Sequence, residues 1–225
     1  MEHTARSYEQ ELAHLRQQLL LMAGRVEEMI ARAGRAFSER DADLAAKTIE
    51  LDGAVNLAEV EIDELCMRIL ARRQPMASDL RFVTLVMKMV TDLERIADLA
   101  VNICERAVDL SRLEPLVVHA DIAKMGTLVE SMIKDAIDAL VGRSSEKAWD
   151  VIHRDDRVDA FYHSIFDDLL EAMRTEPARV HALIHVQSVA KWLERMADHA
   201  TNLAELVIFM VDGRDVRHPK EKRSG

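Results

Sequence analysis

Asp92-Leu93-Glu94-Arg95-Ile96-Ala97-Asp98-Leu99-Ala100-Val101-Asn102-Ile103-Cys104-Glu105 returns one hundred residues later as Trp192-Leu193-Glu194-Arg195-Met196-Ala197-Asp198-His199-Ala200-Thr201-Asn202-Leu203-Ala204-Glu205. A Glu, an Asp, an Asn and a second Glu persist in both copies at spacings of four, four and three, with an Arg directly after the first Glu. An α-helix turns about 100° per residue, so Glu94, Asp98 and Asn102 advance by only about 40° at each step and form one narrow strip. Leu93, Ile96, Ala100, Ile103 and Ala107 occupy the other side, the face a core would cover. Leu193, Met196, Ala200, Leu203, Val207 and Met210 repeat that apolar side in the second copy. The stretch is a helical face written twice.

The repeat extends outward at an offset of 103: Val26 with Val129, Met29 with Met132, Asp52 with Asp155, Val55 with Val158 and Ile62 with Ile165. A first helix is expected over about Tyr8 to Glu39, after a frayed start. Leu12, Leu15, Leu19, Met22, Val26, Met29, Ile30 and Ala33 lie on one side of it. A second spans about Asp43 to Arg72, with Asp52, Asn56, Glu59 and Asp63 sharing one face away from its apolar side. Pro75 forces a turn, and a third helix covers Met76 to Leu110, with Ser78 and Asp79 placed to cap it. Helix four is expected over about His119 to Gly142, helix five continues the register, and helix six begins near Ala178 after Pro177. The chain thus reads as all-α, six helices in two tandem three-helix bundles. The bundles take residues 1–115 and 116–213, and residues 214–225 form a loose tail.

Composition agrees. Aromatics make up 4% of the chain and there are only seven glycines and four prolines, the usage of long packed helices rather than of sheets. A net charge of −10 argues against direct nucleic-acid binding, which needs a concentrated basic surface, and favours cations. Cys66 and Cys104 are the only cysteines and form no CxxC pair, so neither a disulfide framework nor a thiolate zinc site is expected. No signal peptide opens the chain, and its longest apolar runs, such as Leu19 to Ala23, fall far short of the roughly 20 residues of a membrane span. The expectation is a cytoplasmic protein, at most peripheral to a membrane.

Carboxylates four apart on a helix lie about 6 Å apart along its axis, which suits oxygen-loving cations such as Mg²⁺, Ca²⁺, Mn²⁺ or iron. Asp155 and Asp159 flank the apolar stripe of helix five, next to Glu194 and Asp198 of helix six. Asn102 and Asn202 add a neutral oxygen to each strip. A single ExxxD is commonly a solvated face, and Arg95 and Arg195 stand ready to neutralise it. Duplication is what turns the balance towards a metal site. His181 and His185 lack the Glu of a zinc protease helix, and Glu11 with His14 is a lone ExxH where a di-iron bundle needs two. No Gly-rich phosphate loop, GxSxG or Cys/His nucleophile arrangement occurs, so the chain is not expected to be an enzyme.

With Arg73-Gln74-Pro75, Asp79-Leu80-Arg81 and the two acid stretches in view, the chain resembles the PhoU family of phosphate-uptake regulators from about Tyr8 to Gly213. The resemblance implies surface metal clusters holding divalent or trivalent ions: iron, zinc, manganese or magnesium. Asp155, Asp159, Glu194 and Asp198 with Asn202 would hold one cluster, and Glu94, Asp98 and Asn102 joined by Asp52 the other. It also implies a homodimer that damps phosphate uptake and starvation signalling by binding a phosphate ABC transporter ATPase and a sensor histidine kinase. Asn56 stands where the second half has Asp159, which suggests a weaker first site. A metal-dependent hydrolase with a multinuclear carboxylate site and a metal-free helical adaptor are the alternatives.

Overall fold

The structure, a computed structural model, describes residues 2–114 and 120–216, with side chains from Arg6 and from Asp121 onward. Helices α1 (Glu2–Glu39), α2 (Ala42–Ile49), α3 (Asp52–Arg73) and α4 (Ala77–Ser111) build the first half. Helices α5 (Ala120–Gly142), α6 (Ser145–Thr175) and α7 (Val180–Asp212) build the second, with a 3-10 turn at Pro177–Arg179. The six-helix frame holds, and no strand occurs among the described residues. The frayed start does not, because α1 is already helical at Glu2. The expected boundary at 115/116 and most of the expected tail lie outside the described residues.

The second helix is interrupted where its counterpart α6 runs on. Thr48 is fully buried, and its Oγ1 donates to the carbonyl of Leu44 across 2.7 Å, a back-bond that bends helices. Leu51 N then donates to Thr48 O, closing a tight turn before α3. Val151 fills the matching place in α6 and has no hydroxyl to do this.

The turns that begin α2 and α6 are copies. Arg40 and Arg143 both take left-handed backbone, with φ of 56° and 49°. Asp41 N donates to Ala36 O and Ser144 N to Ala139 O, which satisfies the open carbonyls of the preceding helix. The side chains of Asp41 and Ser144 then accept from Leu44 N and Lys147 N as N-caps.

α4 and α7 run antiparallel through the middle. Arg81 near the start of α4 reaches Phe209 near the end of α7, Asp92 reaches His199, and Arg106 reaches His185. α1, α2 and α3 cover α4, α5 and α6 cover α7, and α1 also meets α5. The expected apolar faces are buried, with Ile96, Ala100, Met196, Ala200 and Val207 fully so. Each large side chain contributes roughly 1.5–3 kcal/mol by leaving water. Ala97 and Ala197 are fully buried as well, so each central helix carries a second buried side. The buried residues form one continuous cluster across both halves.

The Arg73-to-Arg81 stretch is a fastening. Arg73 forks onto Glu11 at 2.7 and 2.9 Å and also reaches Ser7. Gln74 closes α3 in left-handed backbone with φ of 48°, and Tyr8 donates its hydroxyl to Asp79 across 3.0 Å. Burial and that carboxylate push the tyrosine up to about 12. Arg81 lies over the Phe209 ring and donates to its carbonyl, placing a cation at the C-terminal end of α7 where the helix dipole favours it. The helix cap itself is Met76 rather than Ser78 or Asp79, since Asp79 is engaged with Tyr8.

Candidate functional site

The first carboxylate row joins α3 to α4. Asp52, Glu59 and Asp63 stand one or two turns apart on α3, and Glu94 and Asp98 face them from α4. Burial raises the Glu94 carboxyl above its ordinary range, and Asp98, Glu59 and Asp52 raise it further against the pull of Arg95. Asp52 is raised by burial and by Asp98, Glu59 by burial, Asp63 and Asp98, and Asp63 by burial. Five acids therefore share one field. Asn56 donates to Asp52 Oδ2 across 2.8 Å, so the residue that lacks a charge orients one that has it. Asp52 Oδ1 and Asp63 Oδ1 are buried and have no hydrogen-bond partner among the described residues. Among the described residues the one cation bridging this row is Arg95, 3.5 Å from Glu94 and 3.4 Å from Asp98, and its side chain is 58% exposed.

The second row joins α6 to α7. Burial pushes Asp155 up to about 6, and Asp159, Asp198, Asp156 and Glu194 all add to the effect. Asp198 is raised by burial, then by Glu194 and Asp159. These four expected residues are brought together. Glu194, however, is held by Lys191 at 2.7 and 2.8 Å. That hydrogen bond raises the lysine, whose ammonium also lies over the Tyr162 ring. Arg195 makes no bridge like that of Arg95 among the described residues.

Asn202 points elsewhere. It donates to Asp92 Oδ1 across 3.3 Å, beside His199 Nδ1 at 2.8 Å from the same oxygen, and so links α7 to α4 rather than completing the second row. Asn102 makes no hydrogen bond to the carboxylates of the first row. Glu59 and Asp63 are the row members that the α4 repeat did not announce, although their shared face with Asp52 was visible in the spacing. Among the described residues, no three His, Cys, Asp or Glu side chains stand in an arrangement ready to enclose a metal ion.

The remaining candidates are structural. His185 is buried between α7 and α4, where Arg106 Nη1 lies 3.4 Å from its Nδ1 and burial holds its pKa down. His181 packs edge-on against it, and Glu11 of the ExxH is taken by Arg73. Burial pushes both cysteine thiols up to about 12, which leaves them inert.

Comparison with known proteins supplies the lineage. A model described as "PhoU domain" matches the chain twice, over residues 19–107 and 122–207. The chain belongs to the PhoU family. The phosphate-specific transport system accessory protein PhoU homolog of Caulobacter vibrioides is 38% identical over 222 residues, which cover 98% of this chain and 96% of that one. The phosphate-specific transport system accessory protein PhoU of Escherichia coli is 34% identical over 219 residues, covering 96% and 90%. The crystal structure of PhoU from Pseudomonas aeruginosa superposes with a TM-score of 0.90 at 37% identity, covering 92% of this chain and all of that one. That of the phosphate transport system regulatory protein PhoU from Streptococcus pneumoniae gives 0.87 at 27% identity, covering 94% and 100%. These PhoU proteins are named for accessory and regulatory roles in phosphate transport. No helix among the described residues is long and apolar enough to cross a membrane.

Proposed function

We propose that this chain is a non-enzymatic, metal-responsive adaptor in the cytoplasm that holds back phosphate uptake and phosphate-starvation signalling. Its partners are the ATPase of a phosphate ABC transporter and a sensor histidine kinase, which it meets as a homodimer. The observation that carries the reading is the pair of carboxylate rows, built at matching places in both halves of a PhoU chain, whose members raise one another's pKa. Such mutual repulsion is relieved when a cation arrives. Divalent or trivalent ions spaced along the first row would draw their ligands from Asp52, Glu59, Asp63, Glu94 and Asp98, where two oxygens are unclaimed among the described residues. In the second they would take Asp155, Asp159 and Asp198, with Glu194 released from Lys191. The ion supplies charge neutralisation and a fixed surface shape.

The test replaces the native gene with Glu94→Lys/Asp98→Lys and reads a phosphate-starvation reporter in phosphate-rich medium. Loss of repression with an unchanged helical spectrum is expected, and full repression would overturn the reading. Elemental analysis of the purified protein beside Glu94→Ala/Asp98→Ala and Asp155→Ala/Asp159→Ala assigns the metal to a row. Equal metal content in all three would remove both rows as ligands.

A further inference from the structure

Gly53, Leu57, Val60, Glu64, Met67 and Ala71 recur on α3 at intervals of four, three, four, three and four, the spacing of a seam that packs against another helix. All six are exposed, with Leu57 at 59%, Val60 at 54% and Met67 at 57%. The other side of α3 is satisfied: Val55, Ala58, Ile62, Leu65, Cys66 and Ile69 are buried against the first half. The stripe is therefore a second apolar face, about 27 Å long at 1.5 Å per residue. Nothing among the described residues covers it: the helices that α3 packs on are α1 and α4.

The repeat shows that the stripe is not a by-product of helix design. At the offset of 103, α6 places Asp156, Ala160, His163, Asp167, Leu170 and Arg174 at the same positions. That set holds one large apolar residue, Leu170 in the place of Met67, and α3 adds Leu57 and Val60 where α6 has Ala160 and His163.

Charge identifies the occupant. Glu61 and Asp63 flank the middle of the stripe and Glu64 lies within it, while the cations alongside, Arg68 at 3.5 Å from Glu64 and Arg72 one turn on, stand towards its C-terminal end. A second copy laid along this face would bring two such acid clusters together, and an anionic lipid surface would be repelled in the same way. We propose that the outer face of α3 docks an amphipathic helix of a partner protein, with apolar residues at three- and four-residue spacing flanked by Lys or Arg. Met67, flexible and polarisable, adapts to the partner's side chains. The inference rests on the adaptor reading and gives it a second surface beside the first carboxylate row, the two sharing Asp63.

The test uses the full chain and a fluorescein-labelled synthetic helix of about 21 residues, enough for the roughly 27 Å of seam. The helix carries leucines in seam spacing between lysines, and a scrambled peptide of the same composition serves as control. Anisotropy should show the patterned peptide binding about tenfold tighter or more than the scrambled one. Leu57→Ser/Met67→Ser should remove that advantage while the thermal melt stays in place, because both side chains are exposed. Glu94→Gln/Asp98→Gln, which neutralises the first row, should leave it intact. Equal binding of the two peptides, no binding of either, or an unaltered preference in Leu57→Ser/Met67→Ser would overturn the proposal. So would a dimer, seen by sedimentation equilibrium, that Leu57→Ser/Met67→Ser dissociates, for the occupant would then be a second copy. Failure here with repression still lost in Glu94→Lys/Asp98→Lys sinks the seam and leaves the adaptor standing.

Discussion

The α3/α4 half and the α6/α7 half use one frame for two electrostatic settings. In the first, five acids face one another with, among the described residues, one loose arginine and two buried carboxylate oxygens that have no partner. In the second, Tyr162 stands where Glu59 would be and Phe166 where Asp63 would be, and Lys191 replaces Thr91 and clasps Glu194. The single lost charge at Asn56 is thus outweighed by charges gained elsewhere, and the first row is the more strongly unbalanced of the two. A duplicated motif preserves position while its neighbours decide charge. The outer faces diverge in the same direction, with a seam on α3 and a solvated face on α6.

Whether the two halves share one stability is the broadest test of that comparison. Ile96→Ala and Met196→Ala remove matched, fully buried side chains, and each should cost about 2–5 kcal/mol. Because the core is continuous, urea denaturation should show one transition moving left in both variants. Two separated transitions would mean that each half unfolds by itself.

The link across the seam is one-sided, since Trp192 stands at the place of Asp92 and Leu99 at that of His199. Asp92→Ala should cost about 1.5 kcal/mol by stranding His199 and Asn202. A denaturation midpoint equal to that of the unaltered chain would show the contact to be idle. Gly213→Ala should cost about 1 kcal/mol. Its backbone has a φ of 69°, and an added Cβ would meet Arg81 Nη1 at 2.9 Å. An unchanged midpoint would mean that Arg81 retreats freely.

The smallest effect concerns the rows. Asp155 has a folded pKa of about 6 against an ordinary 3.8, so between those values the folded chain binds more protons than the unfolded one. Stability therefore falls as pH rises through that window and stays lowered above about 6. In metal-free buffer Asp155→Asn should raise Tm at pH 7 by about 1–2 °C and flatten the pH dependence between pH 4 and 6. Asn56→Asp should act in the opposite sense by adding repulsion to the first row. A lower Tm for Asp155→Asn at pH 7 would show the carboxylate to be stabilised by something other than its neighbours.

Much of this was legible in the residues. The offsets of 103 and then 100 placed the helices, their buried sides and both acid strips, because a helix repeats its face at a period that survives substitution. What escaped depended on local chemistry or on distant pairing. Arg40 and Arg143 take a turn conformation usually left to glycine. The turn at Glu50 and Leu51 that parts α2 from α3 carries no proline to announce it. Asn202 looked like a ligand of its own strip because spacing along one helix says nothing of what faces it, and Asp92, 110 residues away, claims it. Lys191 was readable, three residues before Glu194, yet the half without it suggested no such clasp.

The antiparallel pairing of α4 with α7 also sets an order of events during synthesis. A chain that has left the ribosome only as far as Ser111 has finished α4 while α7, the helix that packs along it, is still to be translated. Pairing residues so far apart in sequence is slow, and exposed apolar surface invites aggregation meanwhile. The maturation of the first half thus waits on α7: Arg81 donates to the carbonyl of Phe209 only once that helix has been made.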